Sequence, residues 1–176
     1  MQTEQEKTLK ALQTAVRMEI DGKEYYLKAS RESSHELGKK LLMSLANEED
    51  IHQQKFKEIY HNIQTKKAWP EVHLQPDRGK RLRTILARAT RETGANMRAP
   101  ATELDAVQTA IDMENKTYDF YKRGGQNATY DTEREFYEAL AAEEREHQSV
   151  LLDYYEYLKD PAGWFTSKEH PSLDGG

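Results

Sequence analysis

Residues 11–19 read ALQTAVRME and residues 106–114 read AVQTAIDME, and six of the nine positions are identical at a shift of 95 residues. The same shift, without a gap, carries EEDIH at 48–52 onto EEREH at 143–147. The chain is therefore an internal duplication, and a duplicated chain is expected to fold with approximate two-fold symmetry. Residues 3–66 contain no proline and only Gly22 and Gly38; residues 101–160 contain no proline and only Gly124 and Gly125. Both blocks are rich in Ala, Leu, Glu, Lys and Gln, which favour helix. Leu12, Ala15, Val16, Glu19, Gly22 and Tyr26 recur at helical spacing, as do Leu41, Leu42, Leu45, Ile51, Phe56, Ile59 and Ile63. Each block predicts a helical hairpin, 3–66 and 103–160, with breaks near 33–38 and 124–131.

Between the hairpins, residues 67–102 are punctuated by Pro70, Pro76 and Pro100, and RGKRLRTILARATRE (78–92) predicts a short amphipathic helix. A helix of about 30 residues is about 45 Å long, so this connector is suited to run back along the whole bundle. The fold expected is an all-α four-helix bundle with one long crossover, over residues 1–160. An irregular tail, 161–176, would dock on the bundle through Trp164 and Phe165.

Charged residues make up 32% of the chain and hydrophobic ones 36%, a balance that fits long helices with one apolar stripe. The net charge of −5 argues against a nucleic-acid partner. The absence of cysteine excludes disulfides, thiol chemistry and iron–sulfur ligation. No apolar run approaches the roughly 20 residues that span a bilayer, and MQTEQEKTLK holds no apolar signal region. No membrane partner and a cytoplasmic location are the expectations.

Glu49 precedes His52 by three residues, and Glu144 precedes His147 by three. At that spacing both side chains share one helix face and can reach one ion. Glu19 and Glu114 add one glutamate from the first helix of each hairpin. Two single glutamates and two Glu-x-x-His pairs on four helices are the ligand set of ferritin-like di-iron and di-manganese bundles. Four buried carboxylates are costly alone, and two divalent cations neutralise them. Mixed carboxylate and imidazole donors suit iron, with manganese or a mixed pair as the alternative.

Glu32–His35 and Glu58–His61 repeat the spacing, but the shift maps Glu32 onto Asn127 and His61 onto Glu156. Those four residues are read as solvated surface, like the basic cluster at Arg78–Arg83; His73 and His170 are read as surface or tail contacts. Tyr26 and Tyr121 lie seven residues after Glu19 and Glu114, placed to hydrogen-bond a ligating carboxylate, and Tyr118, one turn past Glu114, is a weaker candidate of the same kind. Ala15, Gly22 and Ala110 either leave room for a small oxidant or permit close helix packing.

With AVRME, ANEEDIH, AIDMENKTYDFY and LAAEEREH in hand, about two thirds of the chain resembles the rubrerythrin family of the ferritin-like superfamily. The resemblance implies a non-haem di-iron centre oxidised by hydrogen peroxide, and more slowly by dioxygen. It implies Glu19 and Glu114 as terminal ligands, Glu49 and Glu144 as bridging ligands, His52 and His147 as nitrogen ligands, and a homodimer. Two departures matter. Without the four cysteines of a rubredoxin module, electrons must come from an external donor protein. The family's additional glutamate, one turn from the third-helix ligand, is replaced by Ile111 and Thr117 on either side of Glu114. The leading reading is a peroxide-reducing oxidoreductase in oxidative-stress defence. A dioxygen-using ferroxidase is the alternative, and a structural or interaction bundle with a vestigial site is the lesser one.

Overall fold

The computed structural model describes residues 3–169, and His170 lies outside them. Its long helices are α1 (Glu4–Glu32), α2 (Glu36–Lys66), α4 (Ala101–Gln126) and α5 (Asp131–Lys159); α3 (Lys80–Thr93) lies in the connector and α6 (Pro161–Glu169) follows α5. Local chemistry starts α1: Thr3 Oγ1 accepts from Glu6 N at 3.2 Å while Glu6 Oε2 accepts from Thr3 N at 2.9 Å. This reciprocal pair satisfies two backbone donors. At the start of α5, Glu133 Oε2 accepts from Thr129 N and Tyr130 N, at 3.0 and 3.4 Å.

α1 packs along α2 and α4 along α5, the two hairpins meet through α1 and α4, and α3 lies across α2 and α5. The result is an all-α ferritin-like bundle with a long crossover. Its apolar interior is split in two. One cluster holds Tyr26, Leu41, Leu45, Val107, Val150 and Tyr154; the other holds Leu12, Phe56, Tyr121, Phe136, Tyr137 and Leu140. On each of the four long helices the Glu and His motif falls between a stretch in one cluster and a stretch in the other. The motif residues therefore form a polar layer at mid-bundle, capped by hydrocarbon above and below.

Three expectations need correction and one narrows. The tail is not irregular where it is described: PAGWFTSKE forms α6. Pro161 takes the first helical position, where its missing N–H costs nothing, and Asp160 Oδ1 accepts from Gly163 N at 3.1 Å as a cap. Trp164 and Phe165 do dock, against the cluster holding Tyr154 and Tyr157. The break expected over 124–131 narrows to a turn at 127–130, with Gly124 and Gly125 still in α4. A Cβ on Gly124 would lie 3.0 Å from the Tyr137 ring, so the glycine permits close helix approach. Ile51 is 51% exposed: two residues past Glu49 it is turned about 200° away from the interior. His35 is not solvated surface. Its side chain is 14% exposed and caps α2, Nδ1 accepting from Gly38 N at 3.4 Å and lying 3.6 Å from the buried Glu103. Glu32, Glu58, His61, His73 and the cationic residues of 78–83 are exposed as expected.

Candidate metal centre

Glu19, Glu49, His52, Glu114, Glu144 and His147 come together in the mid-bundle layer, each at most 4% exposed. One ligand atom from each of Glu19, Glu49, His52 and Glu144 lies within 4.8 Å of the others, and the same holds for Glu49, Glu114, Glu144 and His147. Glu49 and Glu144 belong to both groups. The duplication thus places two equivalent four-donor sets side by side, sharing two carboxylates.

The histidines are oriented, not merely present. His52 Nδ1 lies 3.3 Å from Glu144 Oε1 and 3.5 Å from Glu19 Oε2. His147 Nδ1 lies 3.2 Å from Glu49 Oε1, 3.4 Å from Glu144 Oε2 and 3.6 Å from Glu114 Oε1. The two rings are stacked, with centroids 5.8 Å apart. Each outward Nε2 meets a carboxylate from the opposite hairpin: His52 with Glu143 at 2.5 Å and His147 with Glu48 at 2.7 Å. An ionised carboxylate accepts only, so Nε2 carries the proton, and a neutral ring then aims its Nδ1 lone pair at the layer.

Glu48 and Glu143 escaped the sequence reading although the signal was available. They are the first letters of EEDIH and EEREH and obey the same 95-residue shift. Replacing Glu143 with glutamine keeps its size but weakens its hold on the His52 proton. Metal affinity is expected to fall about 10- to 100-fold, read by competitive metal titration.

Tyr26 donates to Glu114 Oε1 and Tyr121 donates to Glu19 Oε1, each across to the other hairpin. Tyr118 is not brought to the layer. Its ring lies under the Arg145 guanidinium, 4.1 Å from centroid to Cζ, on the outer side of α4 and α5.

Glu19 Oε2, Glu49 Oε1, both Glu144 oxygens, His52 Nδ1 and His147 Nδ1 have no hydrogen-bond partner among the described residues. Orphaned acceptors converging in a dry layer are very costly. Divalent cations would satisfy these atoms and cancel the charge, so the donor set fits two ions of a metal that takes mixed oxygen and nitrogen ligands.

Without metal, protons must do that work. Burial raises the Glu114 carboxyl to about 8, reinforced by the neighbouring Glu144. Burial, then Glu19 and Glu114, hold Glu49 well above the carboxylate range. Burial opposes charging of both imidazoles, but Glu19 beside His52 and Glu114 beside His147 reverse the balance and raise them well above the usual value. All four shifts are upward, so their contribution to metal-free stability is fully present below the unfolded-state values and is lost as pH rises through the folded ones. The metal-free protein is therefore expected to melt at progressively lower temperature as pH rises from about 4.5 to about 8, the span of the Glu114 shift. Metal binding, which competes with those protons, is expected to strengthen over the same span. Melting curves at several pH values, with and without metal, test both signs.

A four-helix bundle carrying two linked Glu/His sets at its centre is a ferritin-like protein with a candidate di-metal site. A model of the rubrerythrin family matches residues 10–155, which hold all six of these residues, and the chain belongs to that family. Comparison with curated proteins and with solved structures gives no match. No described helix is long and apolar enough to cross a membrane.

Proposed function

We propose that this chain is a non-haem di-iron oxidoreductase that reduces hydrogen peroxide to water, fed by an external electron-donor protein. The observation that carries the reading is the doubled set of buried donors, six of whose atoms have no hydrogen-bond partner among the described residues. Two ferrous ions, if held there, would supply the two electrons that cleavage of the O–O bond consumes. Glu19, Glu49, His52 and Glu144 would hold one ion, and Glu49, Glu114, Glu144 and His147 the other.

The chain's own groups then do three things. Glu48 and Glu143 fix the imidazole tautomers and ring planes, so the nitrogen donors need no reorganisation. Tyr26 and Tyr121 hold phenolic protons against Glu114 and Glu19. Burial first, and then those carboxylates, raise both hydroxyls well above their usual value, so the protons stay until an oxygen product develops charge nearby. The hydrocarbon on both sides of the layer excludes water, which strengthens each electrostatic contact within it. Gly22 lies against Glu49, where an added Cβ would stand in ordinary contact, 3.5 Å from Oε2.

One feature favours the ferroxidase alternative. The flanks of Glu114 carry Ile111 and Thr117, with no further carboxylate to follow a redox change of the metal. Dioxygen-driven oxidation of Fe(II) and its release would need no such movement. Anaerobic loading with Fe(II), followed by rapid mixing with peroxide or with dioxygen, separates the two. Faster oxidation by peroxide, at two irons per peroxide, is expected. Faster oxidation by dioxygen that continues past two irons per chain would overturn the peroxidase reading. A homodimer in the cytoplasm is the proposed setting, and mass in solution tests the first half of it.

A further inference from the structure

Tyr121, whose hydroxyl donates to Glu19, begins a run of aromatic rings leading out of the metal layer. Its centroid lies 6.1 Å from Tyr137, and Tyr137 lies 5.9 Å from Trp69. Phe56 and Phe136 pack the flanks, Phe56 being 5.5 Å from Tyr121 and Phe136 6.0 Å from Trp69. Trp69 is 9% exposed. It lines a surface cleft of about 220 Å³ together with Gln5, Ile63 and Tyr130, and its indole N–H has no partner among the described residues.

The run is not inherited from the duplication. The 95-residue shift carries Tyr121 onto Tyr26 and Trp69 onto Trp164, but Tyr137 onto Leu42. Trp164 packs on Tyr157 at 5.4 Å, and among the described residues no aromatic contact joins that pair to Tyr26. Among the described residues the continuous Tyr–Tyr–Trp path exists in only one of the two core clusters.

We propose that Tyr121, Tyr137 and Trp69 form a one-electron path that drains a stray oxidising equivalent from the di-metal layer to the surface cleft. The proposal rests on the peroxide-reducing reading. Tyrosine and tryptophan give up one electron more readily than other side chains here. Electron transfer slows steeply with distance, so rings in contact replace one long step with short ones. Turning peroxide into two waters takes two electrons and two protons. Two ferrous ions provide both electrons; a site holding one ferrous ion provides one. Tyr121 then supplies the second electron as its phenolic proton passes to Glu19, its existing acceptor. An electron from Tyr137 refills Tyr121, whose proton returns from Glu19; Tyr137 gives its own phenolic proton to water in the cleft it lines with Glu133 and takes one back as an electron from Trp69 refills it. The vacancy exchanges between Tyr137 and Trp69 in either direction, and a small one-electron reductant in the cleft draws it off at Trp69 and is itself oxidised. Both protons of the waters come from solvent. The path spares the ligand carboxylates from oxidation.

The test needs no iron, so its failure is distinct from failure of the peroxidase reading. Azide radicals generated by pulse radiolysis oxidise tryptophan in the full chain carrying Trp164→Phe, which leaves Trp69 as the sole tryptophan. The tryptophanyl absorbance is expected to decay into tyrosyl absorbance in a first-order phase independent of protein concentration. Tyr137→Phe, which keeps the ring, should slow that phase at least tenfold; Tyr130→Phe, in the same cleft but off the path, should leave it unchanged. In the otherwise unaltered chain, Trp69→Phe should delete this phase and preserve one arising at Trp164. A decay that scales with concentration, or one indifferent to Tyr137→Phe, overturns the proposal.

Discussion

Glu144→Ala is expected to reduce Fe(II) binding from two ions per chain to none at concentrations that saturate the unaltered protein. Glu144 is fully buried, contributes a donor atom to both four-residue groups, and has no hydrogen-bond partner on either oxygen. Losing it therefore leaves both groups one donor short and removes one of four carboxylate charges that two cations would balance. Burial and Glu49 push its proton affinity up, but the neighbouring Glu114, His147 and His52 outweigh them and hold it below the usual range. Stabilisation by bound ligand scales as RT ln(1 + [L]/Kd), about 2.7 kcal/mol at a hundredfold excess over Kd. The metal-induced rise in melting temperature should vanish together with binding. Anaerobic titration and paired melts measure both, with circular dichroism verifying that the helices persist. Two irons bound at unchanged affinity would falsify the bridging assignment.

The second large effect is structural. Phe56→Ala should cost the metal-free protein about 3–5 kcal/mol. Phe56 is completely buried and meets Tyr121, Phe136 and Tyr137, with centroids 5.5, 5.4 and 6.3 Å away. It lies one turn beyond His52, so the void would open directly beside the polar layer. No polar group on Phe56 complicates the change, and the loss combines transfer free energy with a cavity term. Against a total stability of about 5–15 kcal/mol this is a large fraction. For a chain of this size the melting temperature should drop by about 2–4 °C per kcal/mol. Urea denaturation gives the free energy; a loss below about 1 kcal/mol would mean the neighbouring rings collapse into the space.

The metal layer was legible because its signal is redundant. Glu-x-x-His occurs by chance in an acidic helix; the 95-residue repeat distinguished Glu49–His52 and Glu144–His147 from Glu32–His35 and Glu58–His61, and Glu58, nine residues past Glu49, also falls on the opposite helix face. Glu48 and Glu143 were equally repeated, yet a glutamate beside a glutamate carries no periodic signal of its own. Their role depends on which hairpin faces which: each reaches a histidine some 90 to 100 residues away in sequence. Tyr118 failed for a related reason. Spacing along α4 put it near Glu114, but α5 brought Arg145 to its ring instead.

Periodicity, glycine and proline placement and the repeat determined by themselves four long helices, two hairpins, a crossover and six convergent donors. These are local or pairwise-repeated properties, written in the spacing of residue types. Tertiary packing decided what Gly124 is for, since an added Cβ there would stand 3.0 Å from the Tyr137 ring lying on α4. It likewise decided the crossed pairing of Tyr26 with Glu114 and Tyr121 with Glu19, and the one-sided aromatic run to Trp69. Those contacts join residues distant in sequence, and their geometry follows from how the hairpins interlock, which no single helix encodes.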